Sequence, residues 1–125
     1  MSANTAGLTP EAARRIAEDW VRDWNAHDLE AILAHYADPL EFRSPRVVER
    51  MGRPDGTLRT REELRAYFGG ALKAQPHLRF DLVDCLAGMD SVALYYRNHR
   101  GQRVMEAMHL DAAGRVCRAA VHYAE

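Results

Sequence analysis

The hydrophobic period of the chain changes once, at His77, and that change limits the folds open to it. Before His77 apolar residues recur at spacings of three and four, the signature of amphipathic helices. After it they alternate with a period of two. Ala13, Ile16, Ala17, Trp20, Val21 and Trp24 form one stripe, opened by Thr9-Pro10-Glu11. That start supplies an N-cap, a first-turn proline and an acid at the positive end of the helix dipole. Asn25-Ala26-His27 breaks the stripe, and Asp28 caps a second one at Leu29, Ile32, Leu33 and Tyr36. Pro39 stops it, since proline cannot continue a helix and restrains the residue before it. Leu40–Ser44 then alternates as a short strand, with Phe42 and Ser44 on its inward side. Pro45–Arg59 reads as a long irregular link, a length that usually signals a functional loop or lid. Thr60 and Glu63 make a capping box for a third helix, whose stripe is Leu64, Tyr67, Phe68, Ala71 and Leu72.

Four strands are expected after His77, at about 78–87, 90–99, 102–111 and 115–124. Short Gly- and Asp-containing breaks separate them, so they form an antiparallel meander. Helices first and strands after is an α+β pattern. With 125 residues the chain makes one domain. A twisted sheet wrapped round three helices gives a cone open at one end, and ligand sites favour such concave mouths. Residues 1–8 are small and polar, so a flexible terminus is expected there.

Composition removes several function classes. Seventeen basic and eighteen acidic residues give a net charge of -1, so neither a nucleic-acid nor an anionic-membrane partner is indicated. No apolar run is long enough to span a bilayer and no signal peptide opens the chain. Cys85 and Cys117 stand apart in sequence, which fits reduced thiols and a cytoplasmic location. Metal-binding, phosphate-loop and nucleophile-elbow motifs are absent. The six histidines fall into no ligand spacing, so neither metal nor cofactor is expected.

Glu106 is the most informative single residue. It shares a strand face with Val104, Met108 and Leu110, a carboxyl in an otherwise apolar set. Desolvation of such a group raises its pKa and suits it to acid/base work. A short turn at Ala112-Ala113 sets Ala119 and Ala120 opposite it, leaving space, and His122 opposite about Val104. Cys117, Ala119, Val121 and Tyr123 then share its side. Trp20, Trp24, Phe42, Ser44, Met51, Tyr67, Tyr96, Met108 and Tyr123 are the candidate ligand-binding residues, combining apolar bodies with a few polar tips. The other sheet face carries Arg103, Met105, Ala107, His109, Arg118, Ala120 and His122, a mixture suited to a symmetric dimer interface.

The run from Trp20 through Asn25, Asp28-Leu29, Ile32, Tyr36-Ala37-Asp38 and Pro45 resembles the nuclear transport factor 2-like superfamily. So do Gly56-Thr57, Leu64-x-x-Tyr67-Phe68 and Asp111-Ala112-Ala113-Gly114-Arg115-Val116. The SnoaL-like and ketosteroid isomerase-like branch is the most similar, over residues 9–124. The resemblance implies a cystatin-like α+β barrel, a central cavity, and a homodimer through the outer sheet face. It also implies a small-molecule ligand, apolar or of mixed polarity. Carried onto this chain, the isomerase base position falls on Ser44, its tyrosine on Trp20 and its protonated acid on Glu106. Serine is a poor base and tryptophan donates solely through its indole N–H, so steroid isomerisation by that mechanism is excluded. What the resemblance leaves is cofactor-free acid/base chemistry of isomerase, cyclase or dehydratase type with Glu106 as the acid or base. The alternatives are a non-catalytic binding or dimerisation module, and an epoxide hydrolase-like enzyme. Arg97 could serve in the last, which would need at least one further acid or histidine in the cavity.

Overall fold

The computed structural model describes residues 7–124. Helix α1 (Pro10–Asn25) is followed by a short α2 (Leu29–Leu33) and strand β1 (Tyr36–Arg43). Next come α3 (Pro45–Met51), the two-residue β2 (Thr57–Leu58) and α4 (Arg61–Ala74). Strands β3 (Asp81–Ala87), β4 (Ser91–Arg97), β5 (Arg103–Leu110) and β6 (Val116–Tyr123) complete the chain. The sheet order is β2-β1-β6-β5-β4-β3. The four-strand meander is antiparallel, as its short turns require, while β1 runs parallel to β6. The result is an α+β single domain with a mixed sheet whose inner face is covered by helices.

The three sequence-legible helix starts are built as their residues dictate. Thr9 accepts from the Ala12 amide and Asp28 from the Ala31 amide. Thr60 and Glu63 form the reciprocal capping box. A fourth helix corrects the expected irregular link: Ser44 caps α3 and Pro45 occupies its first turn. Only Val47 of α3 is deeply buried, so the helix left almost no apolar stripe to read. Gly56, at φ 64°, closes the link. Its carbonyl accepts from the Ser44 amide at 2.9 Å, and a Cβ there would stand 3.0 Å from the Ser44 carbonyl.

Two other boundaries move for tertiary reasons. Helix α2 ends at Leu33 rather than running on to Tyr36. The His35 carbonyl accepts from the Val116 amide and Tyr36 pairs with Val116, so sheet pairing captures the segment early. Strand β3 begins at Asp81, not 78. Residues 78–80 are instead held by the break after α1: the Asn25 side chain makes paired hydrogen bonds with the Phe80 backbone, and His27 Nε2 meets the Leu78 carbonyl at 2.8 Å. The loop that ends α1 thereby anchors the entrance to the meander. Of the expected flexible terminus, residues 1–6 lie outside the described residues. Leu8 is tied down, its amide donating to the Gly88 carbonyl at 3.0 Å.

The register of the last hairpin also differs from expectation. Glu106 faces Val121, not Ala119 or Ala120, and His122 faces Met105, not Val104. A bulge between His109 and Leu110 adds a residue on β6. It turns Val116 into the core and leaves Cys117 half-buried, its thiol donating to the His109 carbonyl at 3.6 Å.

Candidate functional site

The core of the cone is an aromatic cluster, and the cavity is the space that cluster does not fill. Trp20 stacks on Phe80 at 5.5 Å between centroids, and Phe80 meets Tyr96 at 4.6 Å. Trp24 meets Phe68 edge-on at 4.9 Å, and Phe42 packs between Tyr67 and Phe68. Rings of this size and rigidity meet at fixed angles and leave gaps that aliphatic side chains would close. The cavity they bound measures about 80 Å3.

Of the ten residues singled out from sequence, seven line this cavity: Trp20, Trp24, Phe42, Tyr67, Tyr96, Glu106 and Tyr123. Three do not. Met108 is fully buried in the sheet between Val92 and Ala119. Met51, the last residue of α3, packs against the core from outside. Ser44, at the position of the isomerase base, spends its hydroxyl capping α3 through the Arg46 amide. Trp20, at the position of the isomerase tyrosine, donates its indole N–H to the Tyr36 hydroxyl at 3.0 Å. Both chemical substitutions are thus put to structural use.

Glu106 is 3% exposed. Its neighbours across the sheet are Leu94 and Val121, both apolar. The Tyr96 hydroxyl donates to its Oε1 at 3.1 Å. Burial pushes the carboxyl up to about 7, and the Tyr96 hydrogen bond opposes that rise. The same burial, together with the Glu106 charge, holds Tyr36 and Tyr96 well above the ordinary phenol range. Tyr96 is the hydroxyl bonded to the carboxyl, and Tyr36, itself bonded by Trp20, feels its charge. Near neutrality Glu106 can exist in either state, as a general acid or base requires.

The rim is made of residues that sequence reading missed. Arg46 and Arg50 reach it from α3, Gln75 from the end of α4, and Asn98 and His99 from the turn after β4. The signal for the first two lay in Ser44-Pro45-Arg46, a cap followed by a first-turn proline, which sets Arg46 and Arg50 four apart on one helix face. The Arg46 guanidinium lies 4.4 Å over the Tyr123 ring and donates to Gln102 Oε1 at 2.8 Å. Burial pushes Tyr67 up to about 12 and raises Tyr123 also, with the Ser44 hydroxyl opposing both. Two lining residues hold buried polar atoms without a partner among the described residues: Trp24 Nε1 and His99 Nδ1. Buried polar groups are normally satisfied, so each has a bond to offer an incoming molecule. Glu106 is the one carboxyl and His99 the one histidine in the lining, while Arg97 is exposed and does not line it. Among the described residues no cluster of three or more His, Cys, Asp or Glu is placed to hold a metal ion.

The SnoaL-like domain model matches residues 17–122. The chain belongs to the SnoaL-like family. A SnoaL-like protein of unknown function from Burkholderia thailandensis E264, solved as a crystal structure, is similar over 95% of this chain and 99% of its own, at 43% identity and a TM-score of 0.92. No curated protein matches the chain. Membership confirms the nuclear transport factor 2-like fold expected from sequence and leaves the specific activity open. No helix among the described residues of this SnoaL-like chain is long and apolar enough to cross a membrane.

Replacing Tyr96 by Phe removes a hydrogen bond that favours ionised Glu106. Carbon-detected NMR titration of the Glu106 carboxyl is expected to show a higher midpoint in Tyr96→Phe than in the parent protein. A lower midpoint would mean that Tyr96 is not the donor.

Proposed function

We propose that this protein binds a small molecule of mixed polarity in the cone cavity and acts on it by cofactor-free proton transfer, with Glu106 as the acid or base. The reaction class that suits one carboxyl with a single hydroxyl donor is an isomerisation, cyclisation or dehydration. The observation that carries this reading is the burial of Glu106 at the cavity wall with Tyr96 as its hydrogen-bond donor. A carboxyl retained at such a cost to folding is a functional-site signature. Trp24, Phe42 and Tyr67 would pack the body of the ligand, and Trp24 Nε1 would donate to one of its acceptors. A reducing cytoplasm suits the free thiols Cys85 and Cys117.

A non-catalytic binding or dimerisation module, its cavity a packing defect, is the second reading, and the size of the cavity favours it. About 80 Å3 is well below the roughly 300–1,000 Å3 of typical ligand pockets. Rim side chains such as Arg46 and Tyr123 must therefore move for anything larger to enter.

We also propose a homodimer through the outer sheet face. Ala93, Ala107 and Ala120 form a row of small residues across β4, β5 and β6. Met105, which is 41% exposed, stands beside it. Such a face lets two sheets approach closely. Sedimentation analysis should give a dimer that Ala107→Arg converts to monomer; a monomeric parent protein contradicts the assignment.

The proton linkage of Glu106 has a definite sign. Below pH 4.5 the group is protonated in both folded and unfolded chains and contributes nothing. Between 4.5 and about 7 the unfolded chain ionises while the folded one stays protonated. Stability therefore falls as pH rises through that window, by roughly 3 kcal/mol in total, and levels off above it. Denaturant unfolding of Glu106→Gln should lose that slope and be more stable than the parent protein at pH 8. Parallel pH profiles for the two proteins would remove the acid/base assignment.

A further inference from the structure

The polar groups of the cavity are segregated by charge. Its deep wall carries Glu106 among aromatic and aliphatic side chains, and its rim carries Arg46, Arg50 and His99 with the amides of Gln75 and Asn98. No carboxylate lies among the rim residues. Arg46 is half-buried and Arg50 exposed. Among the described residues neither guanidinium has a carboxylate within ion-pairing distance, whereas Arg53 and Arg59, further along the same link, pair with Glu63 and Asp55. A partly desolvated cation without a counter-charge is costly unless something else supplies the charge. Arg46 rests on the Tyr123 ring and donates to Gln102 Oε1. The Tyr123 hydroxyl lies between the two ends, feeling Glu106 and, less strongly, Arg46 and Arg50, and Arg46 also bears on His99.

We propose that the ligand of this cavity is an apolar-bodied carboxylic acid, its carboxylate held at the rim by Arg46 and Arg50 and its body directed into the aromatic sleeve toward Glu106. The guanidinium fork matches a carboxylate in geometry as well as charge. His99, whose Nδ1 has no partner among the described residues, can add a further hydrogen bond. The cationic rim also repels ligands with amine heads. This assignment rests on the reading of the cavity as a ligand site and adds the class of ligand. The one buried carboxyl of the lining, in its protonated form, can donate to a neutral oxygen of the ligand.

Calorimetric titration with 3-phenylpropionate and with the neutral 3-phenylpropionamide tests this pair of claims separately. The acid is expected to bind at least about ten-fold more tightly than the amide at low salt, with the preference shrinking as ionic strength rises. Arg50→Gln, an exposed substitution that should leave the melting temperature unchanged, is expected to reduce acid binding several-fold and leave amide binding alone. Arg46→Gln should do the same, and Arg46→Lys should restore part of the preference. Equal affinity for acid and amide, or an acid preference that survives both glutamine variants, overturns the anion assignment while leaving the cavity reading intact. Failure of both molecules to bind overturns the two together.

Discussion

A carboxyl group buried in the middle of an apolar sheet face is the constraint on which the rest of this structure turns. A charge there is expensive, and the fold does not neutralise it with a cation. It surrounds Glu106 with Leu94 and Val121 across the sheet and gives it one hydroxyl donor, Tyr96. The outcome is a carboxyl balanced between its two states near neutral pH. Burial and the Tyr96 hydroxyl set that balance. Helix α1 brings Trp20, whose indole positions Tyr36; β4 brings Tyr96; the aromatic cluster keeps bulk water away.

The same arrangement explains why the base-and-tyrosine mechanism of ketosteroid isomerases is not expected of this chain although the fold is shared. At the position of the base stands Ser44, occupied in starting a helix, and at the position of the tyrosine stands Trp20, occupied in orienting Tyr36. Only the third position keeps its chemical type. The site is therefore a single-acid site with a cationic rim. The rim owes its existence to α3, the helix that Ser44 starts. Ser44 thus has an architectural role, and α3 delivers the two arginines.

Much of the fold was legible in the sequence because strong local signals agreed with the tertiary outcome. The Thr9-Pro10 start, the Thr60–Glu63 capping box and the period of two after His77 all reappear as built. The aromatic members of the cavity were legible because they are also the core. What was not legible depended on contacts distant in sequence. Tyr36 looked helical until β6 captured it, and Asn25 and His27 looked like a helix stop until they bound the backbone of 78–80. The bulge at His109–Leu110 moved the hairpin register and exchanged Val116 for Cys117 in the core. Arg46 and Arg50 were missed because a seven-residue helix with one buried side chain carries no readable stripe.

The central claim is that Glu106 is kept near the midpoint of its titration by burial. Carbon-detected NMR titration of its side-chain carboxyl in the unmodified protein measures this directly. A midpoint at about 7 is expected. A midpoint in the ordinary glutamate range, about 4.3, would mean that water or a cation reaches the carboxyl, and would contradict both the buried site and the chemistry assigned to it.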